Sequence, residues 1–273
     1  MSQRFQPTVL YFDSLPSTNT EAARQAAAGA AEGLCVVARE QTAGRGRRAR
    51  AWVSPRDAGL YFSVVLRPRL EASRWSLITL MAAVAARDAL EEACALCADI
   101  KWSNDLLARG RKVCGILAEA METPRGRACV LGVGINLTES AFPPELAERA
   151  TSVEAETRAR PDREALLAAL VRQLARRYAE LHEPGGAEAT VRAWSAASSY
   201  AAGKRVRVAL GDGETIEGTT RGLETDGALR VETEDRGIMI VRAGDVIAVR
   251  SEETAADSRA NASDDITLSK EAE

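Results

Sequence analysis

"KVCGILAEAMETPRGRACVLGVGINL", Lys112 to Leu137, is the stretch whose reading decides the fold. Two apolar, β-branched runs, Lys112–Met121 and Arg127–Leu137, read as strands separated by a Pro-Arg-Gly turn at Pro124–Gly126. Working outward, "TVLYFDSL" (Thr8–Leu15), "LCVVAREQ" (Leu34–Gln41), "LYFSVVLRP" (Leu60–Pro68) and "DIKW" (Asp99–Trp102) read as further strands, and Arg109-Gly110 as a turn. Helices are expected from Ser17, with Ser17 or Thr18 as N-cap and Glu21 in the first turn, and over Ser73–Ala95, Asp162–His182 and Ala187–Tyr200. Strands and helices mix without a regular βαβ rhythm, which predicts an α+β class with a largely antiparallel sheet. From Gly203 to Arg250 the pattern changes to about five short alternating strands with Gly-Asp-Gly and Asp-Gly turns, predicting a small closed β-barrel. Ser251–Glu273 has no aromatics and an acidic excess, and reads as a disordered tail. The expected divisions are 1–201, 202–250 and 251–273.

Composition narrows the chemistry. The 273 residues are 46% hydrophobic with a net charge of -3, ordinary for a globular protein and unlike a dedicated nucleic-acid binder. No apolar run reaches the roughly 18 residues of a membrane span and no export pattern opens the chain, so a soluble cytoplasmic protein is expected. The single histidine, His182, removes histidine triads and multi-histidine metal sites. Five cysteines, an odd number, predict reduced thiols, and the Cys94-x-x-Cys97 pair reads as buried helix cysteines, not a metal or redox motif.

Four segments could carry chemistry. "AGRGRRARAW" (Ala43–Trp52) packs four arginines around Gly44 and Gly46. Some of Arg45, Arg47, Arg48 and Arg50 can converge on an anion with forked donors, or the whole can be a solvated basic loop. Like-charge repulsion predicts that it is mobile until a ligand orders it. "KWSNDL" (Lys101–Leu106) places Asn104 and Asp105 at a strand end, where Asp105 could orient an amine or meet magnesium. Lys112 opens an apolar strand and must find a partner or water, and Gly115 allows close approach of a ligand. "GVGINL" has G-x-G without the third glycine, and no P-loop pattern occurs, which argues against Rossmann and Walker nucleotide binding.

The order and spacing of "STN" (17–19), "QTAGRGRRARAW" (41–52), "KWSNDL", "RKVCGIL" (111–117) and "GVGINL" strongly resemble the biotin protein ligases, over about residues 8–250. The resemblance implies a class II aminoacyl-tRNA-synthetase-like catalytic domain with a mixed, largely antiparallel sheet and an SH3-like C-terminal barrel. It implies activation of biotin with MgATP to biotinyl-5'-AMP, then transfer to a lysine of a biotin carboxyl carrier domain. By that likeness Lys112, Arg45, Arg47 and Asp105 are catalytic. Ser17, Thr18, Asn19, Gln41, Gly44, Gly46, Trp52, Gly115, Leu117 and Gly132 join Arg45, Arg47 and Lys112 around biotin. Arg47, Arg48, Arg50, Asn104, Asp105, Lys112 and Asn136 contact ATP or the adenylate, and no protein-held metal is implied. Ser103 stands where the family has proline, Ala49 where it has glycine, and no adenine-stacking tryptophan is evident in "ELAERATSVEAET". The chain opens directly on the catalytic region, so a DNA-binding role is not expected. An exposed sheet edge would allow a homodimer.

Two rivals are separable. A lipoate–protein ligase shares the fold, and the acid that is transferred distinguishes it. An RNA-binding module would show salt-sensitive RNA binding without adenylation.

Overall fold

The computed structural model describes residues 7–210 and 213–248. The main unit begins with β1 (Thr8–Phe12), α1 (Thr18–Ala27), β2 (Leu34–Ala38), β3 (Gly59–Leu66) and α2 (Ser76–Cys94). It continues with β4 (Asp99–Lys101), β5 (Asp105–Ala108), β6 (Arg111–Thr123), β7 (Gly126–Asn136), α3 (Val153–Thr157), α4 (Arg163–Leu181) and α5 (Gly186–Ala196). Then come β8 (Ala202–Ala209), β9 (Thr215–Leu223), β10 (Leu229–Thr233), β11 (Gly237–Val241) and β12 (Asp245–Ala248).

The first seven strands form one sheet in the order β1-β2-β3-β7-β6-β5-β4. Only β1 and β2 run parallel, which makes the sheet mixed and largely antiparallel. Helices α2, α4 and α5 cover one face and α1 the other. The alternation along each strand shows how both faces are filled. On β7, Cys129, Leu131, Val133 and Ile135 enter the main core, while Ala128 and Val130 pack under α1. Every residue of β3 is buried.

The Lys112–Leu137 stretch forms the sheet's centre, the β6–β7 hairpin, with Leu117 opposite Gly132 and Gly115 opposite Gly134. One irregularity there matters for the site. Leu106 pairs with Cys114 but Leu107 pairs with Lys112, so β6 carries one extra residue, Val113. Val113 and Cys114 both enter the core, and the bulge returns Lys112 to the face that holds Gly115 and Leu117.

Some sequence expectations need correction. Ser17 precedes α1, but its side chain makes no capping hydrogen bond. Asp162 does cap α4, accepting from Glu164 N and Ala165 N. Cys97 lies beyond α2 and is exposed, and Cys94 is half-buried, so neither is the buried helix cysteine expected. Strand β5 and helix α3 were not foreseen.

The second sheet is antiparallel in the order β11-β10-β9-β8-β12. Among the described residues β11 and β12 do not pair, so no closed barrel is found. Its apolar face (Val206, Val208, Leu229, Val231, Val246) is continuous with the main core. The β9–β10 turn presses on α2. Gly227, at φ +85°, leaves no room for a Cβ, which would lie 2.7 Å from Leu80 Cδ1, and Trp102 Nε1 donates to Gly227 O at 3.0 Å. The 251–273 tail lies outside the described residues. No described helix is long and apolar enough to cross a membrane.

Candidate active site

The α1 face of the sheet has a floor without side chains. Gly115, Gly132 and Gly134 lie side by side on β6 and β7, and Ser63 of β3 sits opposite Gly132. A Cβ on Gly134 would come 2.6 Å from Trp52 Nε1, and one on Gly115 would come 2.9 Å from Trp52 Cζ3. The indole therefore lies flat on backbone.

Polar side chains from the start of α1 close one end. Ser17, Thr18 and Asn19 are all buried there. Gln41 Oε1 accepts from Thr18 N at 2.8 Å and from Thr18 Oγ1 at 3.1 Å, and Gln41 Nε2 donates to Ser54 Oγ at 2.8 Å. Ser63 Oγ donates to Asn19 Oδ1 at 2.6 Å and lies 2.7 Å from Thr18 Oγ1. Asn19 Nδ2 donates to Glu119 Oε2 at 2.9 Å. Burial of the Thr18, Asn19, Gln41 and Ser63 polar groups costs little because they pair with one another and with Ser54 and Glu119.

The arginine segment is a tight hairpin arching over the floor. Trp52 N donates to Gly44 O at 2.9 Å and Gly46 N to Arg50 O at 2.7 Å, with a turn at Arg47–Ala49. Gly44 is required by close approach, since a Cβ would lie 2.3 Å from Trp52 O. The left-handed residue of the turn is Arg48 (φ +54°), not a glycine. The repulsion that led us to expect a mobile loop is offset by carboxylates. Glu119 pairs with Arg45, and Asp245 with Arg48 and Arg50. Arg47, which lines both cavities, donates to Ser103 Oγ at 2.9 Å and Asn104 Oδ1 at 2.8 Å. Burial pulls its guanidinium below the ordinary range, the nearby Asp105 opposing.

Lys112 Nζ lies 2.5 Å from Asp105 Oδ1 and 5.2 Å from the Trp52 ring centre. Lys101 Nζ is 3.2 Å from Asp105 Oδ2. Burial works to raise the Asp105 carboxyl, but the two ammonium groups outweigh it and hold it below the ordinary carboxylate range.

Two cavities share one wall. The first, about 460 Å³, runs from Ser17, Thr18, Asn19 and Gln41 over Leu117 and Gly132 to Arg45, Arg47 and Lys112. The second, about 840 Å³, has four cations (Arg47, Arg50, Lys112, Arg149) against two carboxylates (Asp105, Asp245), beside apolar Val53, Phe142 and Leu146. Gly46, Arg47, Trp52, Asn104 and Lys112 line both. A neutral polar slot ending in cations thus opens onto a larger cationic one.

The chain matches the model of the Biotin/lipoate A/B protein ligase family over residues 11–136 and that of the Biotin protein ligase C terminal domain over 202–248. It is 35% identical to a Bifunctional ligase/repressor BirA of Bacillus subtilis over 241 residues, 87% of this chain and 73% of the relative. The chain belongs to the biotin protein ligases. It is also 35% identical to the Biotin--[acetyl-CoA-carboxylase] ligase of Mycobacterium tuberculosis, covering 86% of each chain. The Aquifex aeolicus biotin protein ligase in complex with biotin and ATP superposes with a TM-score of 0.77 at 28% identity, over 89% of this chain and 99% of that one.

Of the residues singled out from sequence, Ser17, Thr18, Asn19, Gln41, Arg45, Gly46, Arg47, Trp52, Asn104, Lys112, Gly115, Leu117 and Gly132 line the first cavity. Arg50, Asp105 and Asn136 line the second, whereas Arg48 and Gly44 line neither. Asn136 spends its amide on Thr151 O at 3.0 Å and Lys112 O at 3.4 Å, so it braces the Lys112 backbone. Sequence reasoning missed Ser63, Glu119, Gly134, Phe142, Leu146 and Asp245. Ser63 was findable: a lone hydroxyl in the apolar run of β3 must be bonded to something. Asp245 carried no local signal.

Proposed function

We propose that this chain is an ATP-dependent biotin protein ligase, and the observation that carries the reading is the wall of Arg47 and Lys112 between the two cavities. The ureido ring of biotin is neutral and both donates and accepts, which suits Ser17, Thr18, Asn19 and Gln41. Leu117 and Gly132 face its apolar body, and its carboxylate reaches Lys112 and Arg47. The triphosphate and purine of ATP suit the cations and apolar patch of the second cavity.

In the first step a biotin carboxylate oxygen attacks the α-phosphorus, forming the C(O)–O–P bond as the Pα–O–Pβ bond breaks and pyrophosphate leaves. Lys112 and Arg47 are positive charges fixed where the two anions meet, supplying charge stabilisation without reorganisation. In the second step a neutral carrier lysine attacks the carbonyl, the C–N bond forms as the C–O bond to the phosphate breaks, AMP leaves with the anhydride oxygen and the surplus ammonium proton passes to water. With its carboxyl held low, Asp105 serves better as a fixed negative charge that orients the amine than as the proton acceptor. Trp52, which lines both cavities, would flank the intermediate at their junction and exclude water from that side.

We read magnesium as a companion of ATP. Among the described residues no three His, Cys, Asp or Glu side chains cluster, and Asp105 is occupied by two lysines. The ion is proposed to arrive with the nucleotide phosphates. The acceptor is a biotin carboxyl carrier domain, and 202–250 is read as a separate SH3-like unit beside the catalytic 1–201, with carrier docking as one role. The open edge at β1 would allow a homodimer. Incubation with ATP, labelled biotin or lipoate, and a carrier domain tests the reading. Labelled carrier is expected with biotin, and its absence would overturn the assignment.

A further inference from the structure

The tip of the arginine hairpin reaches out of the main unit to the small sheet. Arg47 Nη2 donates to Gly244 O and Arg48 Nη2 to Ala209 O, both at 3.4 Å. Arg48 Nη1 lies 3.5 Å from Asp245 Oδ2, and Arg50 pairs with the same oxygen. Asp245 opens β12 exactly opposite Ala209, the last residue of β8, so both acceptors sit at one end of one strand pair.

The hairpin has little of its own to hold this position. Its tip has only short-range backbone hydrogen bonds and a left-handed arginine, and three cations lie within four residues. Among the described residues Asp245 is the one carboxylate that pairs with Arg48 or Arg50. Its side chain is 25% exposed and that of Arg48 34%, so this pair is partly shielded from solvent, whereas Arg50, at 66%, reaches the same carboxylate from the surface.

We propose that Asp245 is a positioning residue for the arginine hairpin. The small sheet delivers its carboxylate to Arg48 and Arg50, and this pins Arg47 and Trp52 over the reacting centre. The small sheet thereby has a part in retaining the intermediate that is separate from any docking of a carrier. The consequence for the adenylate rests on the ligase reading, whereas the pinning itself does not.

The sign of the effect distinguishes pinning from simple electrostatics. Asp245 also lines the second cavity, where its charge repels phosphate. If that repulsion dominated, Asp245→Asn would hold biotinyl-AMP more tightly. Pinning demands the opposite.

The test uses the full chain as wild type, Asp245→Asn, Asp245→Glu and Arg50→Gln. Trypsin cleavage after Arg47 and Arg48 without ligand is followed by mass spectrometry. It is expected to be about five- to tenfold faster in Asp245→Asn and Arg50→Gln and near wild type in Asp245→Glu. The Asp245→Asn/Arg50→Gln double variant is expected to be no faster than Asp245→Asn alone, because that substitution already removes the carboxylate that Arg50 pairs with. Release of preformed biotinyl-AMP is expected to quicken about five- to tenfold in Asp245→Asn. Unchanged cleavage in the folded variants, or slower release, would overturn the proposal. A wild type that makes no biotinyl-AMP would sink the ligase reading, while the protease comparison still decides the pinning.

Discussion

Replacing Gly132 by alanine should damage biotin binding selectively. The new Cβ would lie 2.1 Å from Asn19 Oδ1 and 2.9 Å from Asn19 Cγ. Ordinary contact begins near 3.4 Å, so Asn19 must retreat by about 1.3 Å, the difference from 2.1 Å. Asn19 is fixed on α1 and held by Ser63 at 2.6 Å and Glu119 at 2.9 Å, and a shift of that size breaks both bonds. The ligand then loses an aligned amide and meets a disturbed network, which is worth about 1–3 kcal/mol. Biotin affinity measured by titration calorimetry is therefore expected to fall about 10- to 100-fold, with the KM for ATP within about twofold of wild type. Gly115→Ala is the control. Its Cβ would meet Trp52 Cζ3 at 2.9 Å and Lys112 Cε at 3.0 Å but not the Asn19 network, so a smaller loss of biotin affinity is expected. A folded Gly132→Ala protein that binds biotin within twofold of wild type would refute the packing argument.

Lys112→Ala should lower pyrophosphate release about 10²- to 10³-fold by removing preorganised charge from the wall between the cavities, and near-normal release would exclude Lys112 from the chemistry. Arg47→Gly should form biotinyl-AMP but leak it, because it removes the contacts to Ser103 and Asn104, as a trapping assay would show. A lowered carboxyl pKa in the folded state means that Asp105 binds its proton less readily there than in the unfolded chain. Its stabilisation is therefore complete above the ordinary value of about 3.9 and is lost only as pH falls below it, so the melting difference between wild type and Asp105→Asn should be constant between pH 5 and 7 and should narrow below about pH 4. Iodoacetamide at pH 8 should label exposed Cys97 first, whereas Cys35, Cys114 and Cys129 are buried with thiols pushed up to about 12 and should react only on unfolding, as peptide mapping would show.

The sequence signals for the site were local ones. Hydroxyls and an amide at a helix start, arginines between glycines, and a lysine opening an apolar run each stand out within a few residues. Ser63 and Glu119 were equally local but were read as strand filler. Phe142 and Leu146 come from short turns without periodicity, so nothing marked them as cavity lining.

The sequence by itself determined the α+β class, the β6–β7 strands at its centre and the residue types that can hold biotin and a nucleotide. Period-two and 3.6-residue patterns and turn residues are short-range, and they survive in a linear reading. Only the tertiary structure decided which of those residues meet. Strict alternation would place Lys112 on the opposite face from Gly115, and the bulge at Val113 reverses it. Likewise, the partner for Arg48 and Arg50 lies some two hundred residues away, at Asp245. Its placement depends on how the small sheet packs on α2. Whether the small strands close into a barrel was also beyond pattern, because closure is set by pairing between β11 and β12, which alternation leaves open.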